Sequence, residues 1–280
     1  MQVAVVGGTG TLGTPVVREL AARGHTVRVL SRSAPAEPVP GAEHHAVDLV
    51  TGAGLDSALE GVYAVVDAAS HRGPRSAPVM VEGVRALLAA EQRAKVGHHV
   101  EISIVGCERV PFSYYRTKVA QERVVTQGPI PWTLVRATQF HELIDEVLGG
   151  VARLRIAPHG TMRFQPVEVT AVAGKLADAV EAGPSGRTRD GGGPGGQTPP
   201  ARGGGGPPAA RGGGGPGGPP RGAGGGAPPP PPPPRGLLPF PVPPIGRVVR
   251  RVRDGALCLG ADGEAVSFDY AEWLRRRYTK

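Results

Sequence analysis

The chain opens on a short apolar run followed by glycines at every third position. Val3–Val6 predicts a buried strand, and a helix is expected from Thr14 onward. Between them, Gly7 permits a tight turn, Gly10 a close approach of the backbone to a pyrophosphate, and Gly13 close packing of helix on strand. The free N–H groups and positive dipole of that helix would face the phosphates. The stretch predicts a dinucleotide site, with a ligand-free structural turn as the alternative.

Further apolar strands alternate with helices or short crossovers along the first half of the chain. Predicted strands end at Leu30, Val47, Asp67 and Ile104, and helical spacing of apolar residues marks the segment 78–94. This alternation predicts an α/β fold, a doubly wound parallel sheet of the Rossmann type. Ligands of such sheets bind at the carboxyl ends of the strands. We expect the nucleotide-binding domain to span residues 1–150.

The residue after the second predicted strand bears on the choice of cofactor. A carboxylate there would bind both ribose hydroxyls and repel a 2′-phosphate. The chain instead has Ser31, whose hydroxyl also suits a phosphate ester, and Arg32, with no acid before Glu37. A guanidinium suits a phosphate ester, which favours NADP(H) and leaves NAD(H) as the second choice. The alternative for Arg32 is a solvated loop residue.

Other strand ends carry residues that suit a dinucleotide. Asp48 can receive an adenine amino group while Leu49 covers the ring. Ala68 and Ala69 are small enough to leave room for a cofactor above them, and Thr138 is placed to reach the nicotinamide side. The predicted cofactor contacts also include the glycine turn itself: Gly7, Thr9, Gly10, Thr11, Leu12 and Gly13.

A tyrosine and a lysine stand four residues apart after the fifth predicted strand. On a helix, this spacing puts Tyr114 and Lys118 on one face. An ammonium stabilises a nearby phenolate, which suits the tyrosine to general acid or base chemistry. Ser103, at the end of the preceding strand, can bind the same substrate oxygen. Tyr115 competes as the active phenol, and tyrosines that only pack against the sheet are the alternative.

Taken together, these motifs resemble the short-chain dehydrogenase/reductase superfamily, and within it the extended or atypical branch with its NmrA-like members. The residues that carry the resemblance are Gly7-Gly-Thr-Gly-Thr-Leu-Gly13, Leu30-Ser-Arg32, Asp48-Leu49, Ser103, Tyr114-x-x-x-Lys118 and Val135–Phe140. It implies that Tyr114 is the acid/base, that Lys118 holds the nicotinamide ribose and that Ser103 orients a carbonyl.

Two functions are consistent with this resemblance. The first is an NADP(H)-dependent oxidoreductase that exchanges hydride with a small carbonyl or alcohol substrate. The second is a non-catalytic NADP(H)-binding redox sensor with a regulatory protein partner, because the atypical branch contains such members. Ser103 and Tyr114 stand slightly closer in sequence than is usual in the family.

The composition changes abruptly in the last third of the chain. Residues 187–236 are almost entirely Gly, Pro, Ala and Arg, without apolar periodicity, and predict a disordered segment. A compensated frameshift in a GC-rich gene would produce the same composition, and resequencing the transcript tests it. The flanking residues, 151–186 and 237–280, predict a small, partly disrupted substrate-covering lobe.

Charge and cysteine content bound the remaining possibilities. Residues 1–186 contain 18 basic and 18 acidic residues, so the formal charge of +8 comes from the other 14 basic and 6 acidic ones. Arginine codons are rich in G and C, so a GC-rich gene explains this basic tail. Nucleic acid is therefore not expected as a partner. Cys107 and Cys258 are too few for a disulfide framework or a cysteine-based metal cluster, and no metal site is predicted. With no signal peptide or membrane-length apolar run, we expect a cytoplasmic protein; its oligomeric state stays open.

Overall fold

A parallel sheet of eight strands organises the molecule. The computed structural model describes residues 1–71, 77–145, 156–159, 163–194, 238–241, 246–260, 263–266, 272–273 and 275–276. The strands of the sheet are β1 (Gln2–Val6), β2 (Thr26–Ser31), β3 (Ala42–Ala46), β4 (Ala64–Asp67), β5 (His98–Ile104), β6 (Trp132–Ala137), β8 (Thr188–Gly192) and β10 (Glu264–Ala265). Their order is β10-β8-β6-β5-β4-β1-β2-β3, with every neighbouring pair parallel. A separate parallel pair joins β7 (Ile156–His159) to β9 (Leu238–Pro241).

Helices cover both faces of the sheet. They are α1 (Gly13–Ala22), α2 (Leu55–Leu59), α3 (Gly83–Ala94, preceded by a π-helical turn, Pro78–Glu82), α4 (Ser113–Thr126), α5 (Val169–Ala182) and α6 (Arg247–Arg253). The first and fifth helices share one core with the sheet, and the second and third share another. No helix within the described ranges is both long enough and apolar enough to cross a membrane.

Strand β1 shows why the opening run is continuously apolar. Val3 and Val5 point into the core beneath α1 and α5, whereas Ala4 and Val6 point into the core beneath α2 and α3. All four are essentially inaccessible to solvent. A strand covered on both faces needs apolar residues at every position rather than alternate ones. The predicted doubly wound α/β fold is therefore confirmed.

The chain reverses its direction of travel through the sheet next to β1. From β1 it moves outward to β2 and β3, and it then returns to β4 on the other side of β1. The connections after β1 and β4 consequently leave on opposite faces and open a crevice at the carboxyl ends of these two strands. Doubly wound sheets bind their ligands at such a point.

The structure corrects the sequence prediction at the start of segment 187–236. Thr188–Gly192 forms β8, which pairs with β6 inside the sheet instead of being disordered. Strand pairing uses backbone groups, so it does not require the apolar periodicity on which the prediction relied. Residues 195–237 lie outside the described residues, and disorder there stays a prediction.

The segment after α6 is attached to the domain through two buried glutamines. Gln139 donates to the carbonyl of Leu257, and Gln165 accepts from the backbone N–H of Leu259. Gln165 also donates to the carbonyl of Gly193, just beyond β8. Residues distant in sequence are thereby joined beside the carboxyl end of β6.

Candidate functional site

The glycine turn after β1 has the backbone geometry that the sequence predicts. Gly7 has a φ of +69°, and its N–H donates to the carbonyl of Leu30 at 2.9 Å. The N–H of Gly10 donates a hydrogen bond to the carbonyl of Gly7. A Cβ on Gly13 would overlap that same carbonyl oxygen, so helix α1 can start here only with glycine at this position.

The start of α1 is open toward solvent. Thr9, Gly10 and Thr11 are exposed, no side chain caps the helix, and its first turn contains no acidic residue. The unsatisfied N–H groups and the positive end of the helix dipole are therefore available to an anion. Leu12, in contrast, is buried in the core and anchors the turn.

The carboxyl end of β4 forms the adjoining floor of the crevice. A Cβ on Gly7 would lie 2.8 Å from the Cα of Ala69, so the two loops are in backbone contact. The N–H of Ala69 donates to Oδ1 of Asp67 at 2.9 Å, which fixes the chain direction after the strand. Ala68 and Ala69 thus lie beside the glycine turn, as predicted.

Three further predicted cofactor residues take different positions. Arg32 is exposed directly after β2. Asp48 accepts the N–H of Val50 through one carboxylate oxygen, and Leu49 packs half-buried against Gly83. Thr138 is buried, with its side chain against Gly192 of β8, so it is covered by the strand that sequence reasoning did not anticipate.

Tyr114 is the phenol that faces the crevice. Its hydroxyl lies 3.0 Å from Oγ of Ser70, which follows Ala69 and is exposed. Tyr115 instead packs with Val110 and the α6 region, and burial raises its pKa to about 12. The structure therefore separates the two tyrosines and leaves Tyr114 beside the cofactor floor.

Lys118 shares the helix face of Tyr114 but its ammonium points into the sheet. Nζ donates to Glu101, to the carbonyl of Ile102 and to Gln121, at 3.2, 2.7 and 2.7 Å. An ammonium has three donors, and all three are used. Burial alone would lower the pKa of Lys118, but Glu101 and other charges raise it. Ser103 is also buried. At the crevice, the hydroxyl of Tyr114 therefore contacts Ser70, and not the predicted partners Ser103 and Lys118.

Residues 7–181 match the family model described as NAD(P)H-binding. The match starts at the first glycine of the turn and runs through the sheet to α5. The chain belongs to the NAD(P)H-binding family. The prediction of an NAD(P)H-binding domain is thereby confirmed.

One curated relative of this chain is a photosystem II assembly factor. The photosystem II assembly factor Ycf39 of Synechocystis sp. is 33% identical over 147 residues, which cover 50% of this chain and 45% of that protein. The chain thus spans about half the length of this curated relative.

Two solved structures have a similar fold. WbmG of Bordetella bronchiseptica, in complex with NAD, superposes with a TM-score of 0.60, at 16% identity over 71% of this chain and 74% of its own. The NADPH-dependent quinone oxidoreductase QOR2 of Escherichia coli, complexed with NADPH, gives 0.60 at 20% identity, over 70% and 71%. At these identities, the likeness concerns the fold alone.

Sequence reasoning missed a buried polar cluster beneath the NAD(P)H-binding crevice. Asp67, His99 and Glu101 come from β4 and β5 and are completely buried. Burial and the charge of Glu101 raise the pKa of Asp67 to about 7. Burial lowers the pKa of His99, but the carboxylates of Glu91 and Glu101 together raise it well above its usual value. The polar residues at alternate positions of an otherwise apolar strand were the available signal.

A groove of about 850 Å³ lies on the other side of α4 from Tyr114. Helical spacing puts Arg116 and Arg123 roughly half a turn away from the tyrosine. Its charged lining comprises six arginines from three elements and two carboxylates, with small apolar residues between them: Glu108, Arg109, Arg116, Arg123, Arg247, Arg250, Arg251 and Asp254. This surface is strongly positive, and it is separate from the crevice.

Proposed function

We propose that the chain is an NADP(H)-dependent oxidoreductase that exchanges hydride with a small carbonyl or alcohol substrate. The observation that carries this proposal is the 3.0 Å contact between the hydroxyls of Tyr114 and Ser70 beside Ala68 and Ala69. A phenol at the crevice, next to the floor of a dinucleotide site, is placed to exchange a proton with a substrate oxygen.

Each group of residues around the crevice has a separate role in the proposed reaction. NADP(H), when bound, supplies or accepts the hydride. The glycine turn fits its pyrophosphate because Thr9, Gly10 and Thr11 are exposed and the first turn of α1 has neither a capping side chain nor an acidic residue. Tyr114 donates its proton to the substrate carbonyl oxygen during reduction. Ser70 orients the Tyr114 hydroxyl and that oxygen. Lys118 acts as a positioning residue: its ammonium anchors α4 to β5 through Glu101.

The preference for NADP(H) is tested at Arg32. Replacing Arg32 by alanine removes one charge-assisted hydrogen bond to a 2′-phosphate, about 1.5 kcal/mol or tenfold in NADPH affinity, with little effect on NADH. Arg18→Ala, which removes another exposed arginine on α1, is the control for net charge. Equal losses for both cofactors, or for both variants, would contradict the assignment.

The catalytic role is tested at the two neighbouring tyrosines. Tyr114→Phe should reduce turnover of a carbonyl panel by about 100-fold or more while the NADPH dissociation constant is unchanged. Tyr115→Phe removes the hydroxyl of the tyrosine that packs with Val110 and the α6 region, and this variant should keep its activity. Turnover that survives in Tyr114→Phe would remove this tyrosine from its assigned role.

A second function is favoured by Lys118 and by the arginine groove. Since all three donors of Lys118 are used inside the protein, none is left for a nicotinamide ribose. This suits a non-catalytic NADP(H)-binding regulator whose groove binds an acidic protein partner. Wild-type protein that binds NADPH but reduces no member of the panel would favour this regulator over the enzyme.

A further inference from the structure

The backbone brings three metal-ligand side chains to one place. His99 and Glu101 are two residues apart on β5, so their side chains leave the same face of the sheet. Asp67 is the registered partner of Glu101 on the parallel neighbour β4. The register alone therefore gathers an imidazole and two carboxylates from two strands.

Each of these side chains has one polar atom aimed into the cluster without a hydrogen-bond partner. These atoms are Oδ2 of Asp67, Nε2 of His99 and Oε2 of Glu101. They belong to side chains that are completely buried, and the cluster's candidate ligand atoms all lie within 4.8 Å of one another. Nε2 of His99 and Oε2 of Glu101 are 3.6 Å apart, close to the roughly 3.4 Å expected between tetrahedral Zn²⁺ ligands. At that distance the two atoms form a long ion pair without a hydrogen bond, and a buried polar atom that lacks a hydrogen bond, such as Oδ2 of Asp67, is costly.

The other polar atom of each residue is held by the protein. Oδ1 of Asp67 accepts from Ala69, and Oε1 of Glu101 accepts from Lys118. Nδ1 of His99 lies 2.9 Å from Oε1 of the buried Glu91. A carboxylate behind a histidine fixes the tautomer that presents Nε2 to a metal, and such outer contacts are typical of metal sites.

We propose that Asp67, His99 and Glu101 bind one divalent transition-metal ion of the Zn²⁺ type, in a buried site beneath the crevice. One nitrogen and two oxygen ligands suit Zn²⁺ and its neighbours. Through Oδ1 of Asp67 the ion reinforces the contact with Ala69 and so stiffens the cofactor floor. The proposal does not rest on the proposed function, since it holds whether or not the crevice catalyses a reaction.

The experiment measures metal in the full chain. Because the site is buried, the protein is refolded in the presence of Zn²⁺ or Co²⁺ and dialysed before metal analysis. Wild type should retain one ion per chain, show visible absorption of Co²⁺ in a low-symmetry site, and melt at higher temperature with metal. Glu91→Gln should weaken binding by about 10–100-fold.

Matched variants distinguish this site from adventitious binding. Asp67→Asn keeps an oxygen for Ala69 and should lose the ion, as should His99→Gln. His98→Gln is the control, because His98 is an equally buried neighbour that contacts Thr133. If His99→Gln does not fold, the metal content of Asp67→Asn alone tests the proposal. Wild type without stoichiometric metal, or Asp67→Asn with as much metal as wild type, would overturn the proposal.

Discussion

At the scale of single residues, the glycine turn shows how one missing Cβ sets the start of a helix. Gly13 lies against the carbonyl oxygen of Gly7, and this contact lets α1 begin directly beneath the crevice. The same residue type in the middle of α5, Gly174, meets only the end of the flexible Arg23 side chain. Glycine is therefore required at one position and replaceable at the other.

We predict opposite results for alanine at these two positions. Gly13→Ala should destabilise the fold by about 1–3 kcal/mol, since backbone must move, and should abolish NADPH binding. Gly174→Ala should stabilise it by about 1 kcal/mol, because alanine favours a helix interior. Urea unfolding and fluorescence titration with NADPH measure both effects. An unchanged affinity in Gly13→Ala would show that the turn does not contact the cofactor.

At the scale of elements, β8 and the loop beyond it are held by close backbone packing rather than by apolar side chains. Gly191 lies under the stem of Lys175, and Gly192 lies against Thr138. A Cβ on Gly193 would overlap the carbonyl oxygen of Pro166. A glycine-rich stretch can therefore form part of a sheet when its neighbours approach the backbone closely.

Alanine at Gly193 tests this packing. Gly193→Ala should lower the free energy of unfolding by about 1–3 kcal/mol, because the obstructing atom is backbone. Gly260→Ala is the control, with no atom within 4 Å of the added Cβ, and should change stability by less than about 0.5 kcal/mol. Equal stabilities of the two variants in urea would mean that residues 188–193 are not packed as described.

At the scale of the whole molecule, the C-terminal segment closes over residues near the carboxyl end of the sheet. Leu257 and Leu259 are held through Gln139 and Gln165, and this docking buries Cys258. Burial raises the pKa of Cys258, and it raises that of Cys107 to about 12. Both thiols should therefore stay protonated at neutral pH.

The reactivity of the two thiols reports on this docking. In the folded protein, reaction of both thiols with a disulfide reagent should be slow at pH 8 and accelerate as the pH rises, because only the thiolate reacts. Gln139→Ala removes a hydrogen bond that holds the segment and should make Cys258 reactive while Cys107 stays protected. The rates are followed with a chromogenic disulfide, using unfolded protein as the reference for both thiols. Fast reaction of both thiols in folded wild type would contradict the buried positions.

Local patterns in the sequence were sufficient for the fold and for the backbone of the glycine turn. The apolar run Val3–Val6 and the spacing of Gly7, Gly10 and Gly13 predict a buried strand, a turn and a helix. They succeed because backbone conformation over a few residues depends mainly on those residues. The position of Tyr114 on helix α4, on the same face as Lys118, followed in the same way.

Only the tertiary structure decided which side chains meet. Spacing put Lys118 on the face of Tyr114, but Glu101 on the neighbouring strand took its ammonium into the interior. Register across β4 and β5 joined Asp67 to His99 and Glu101, more than thirty residues away in sequence. Contacts of this kind depend on strand order and register, which arise when the whole sheet assembles. The sequence by itself thus determined the strand, turn and helix that begin the chain, whereas assembly of the sheet determined the buried cluster beneath them.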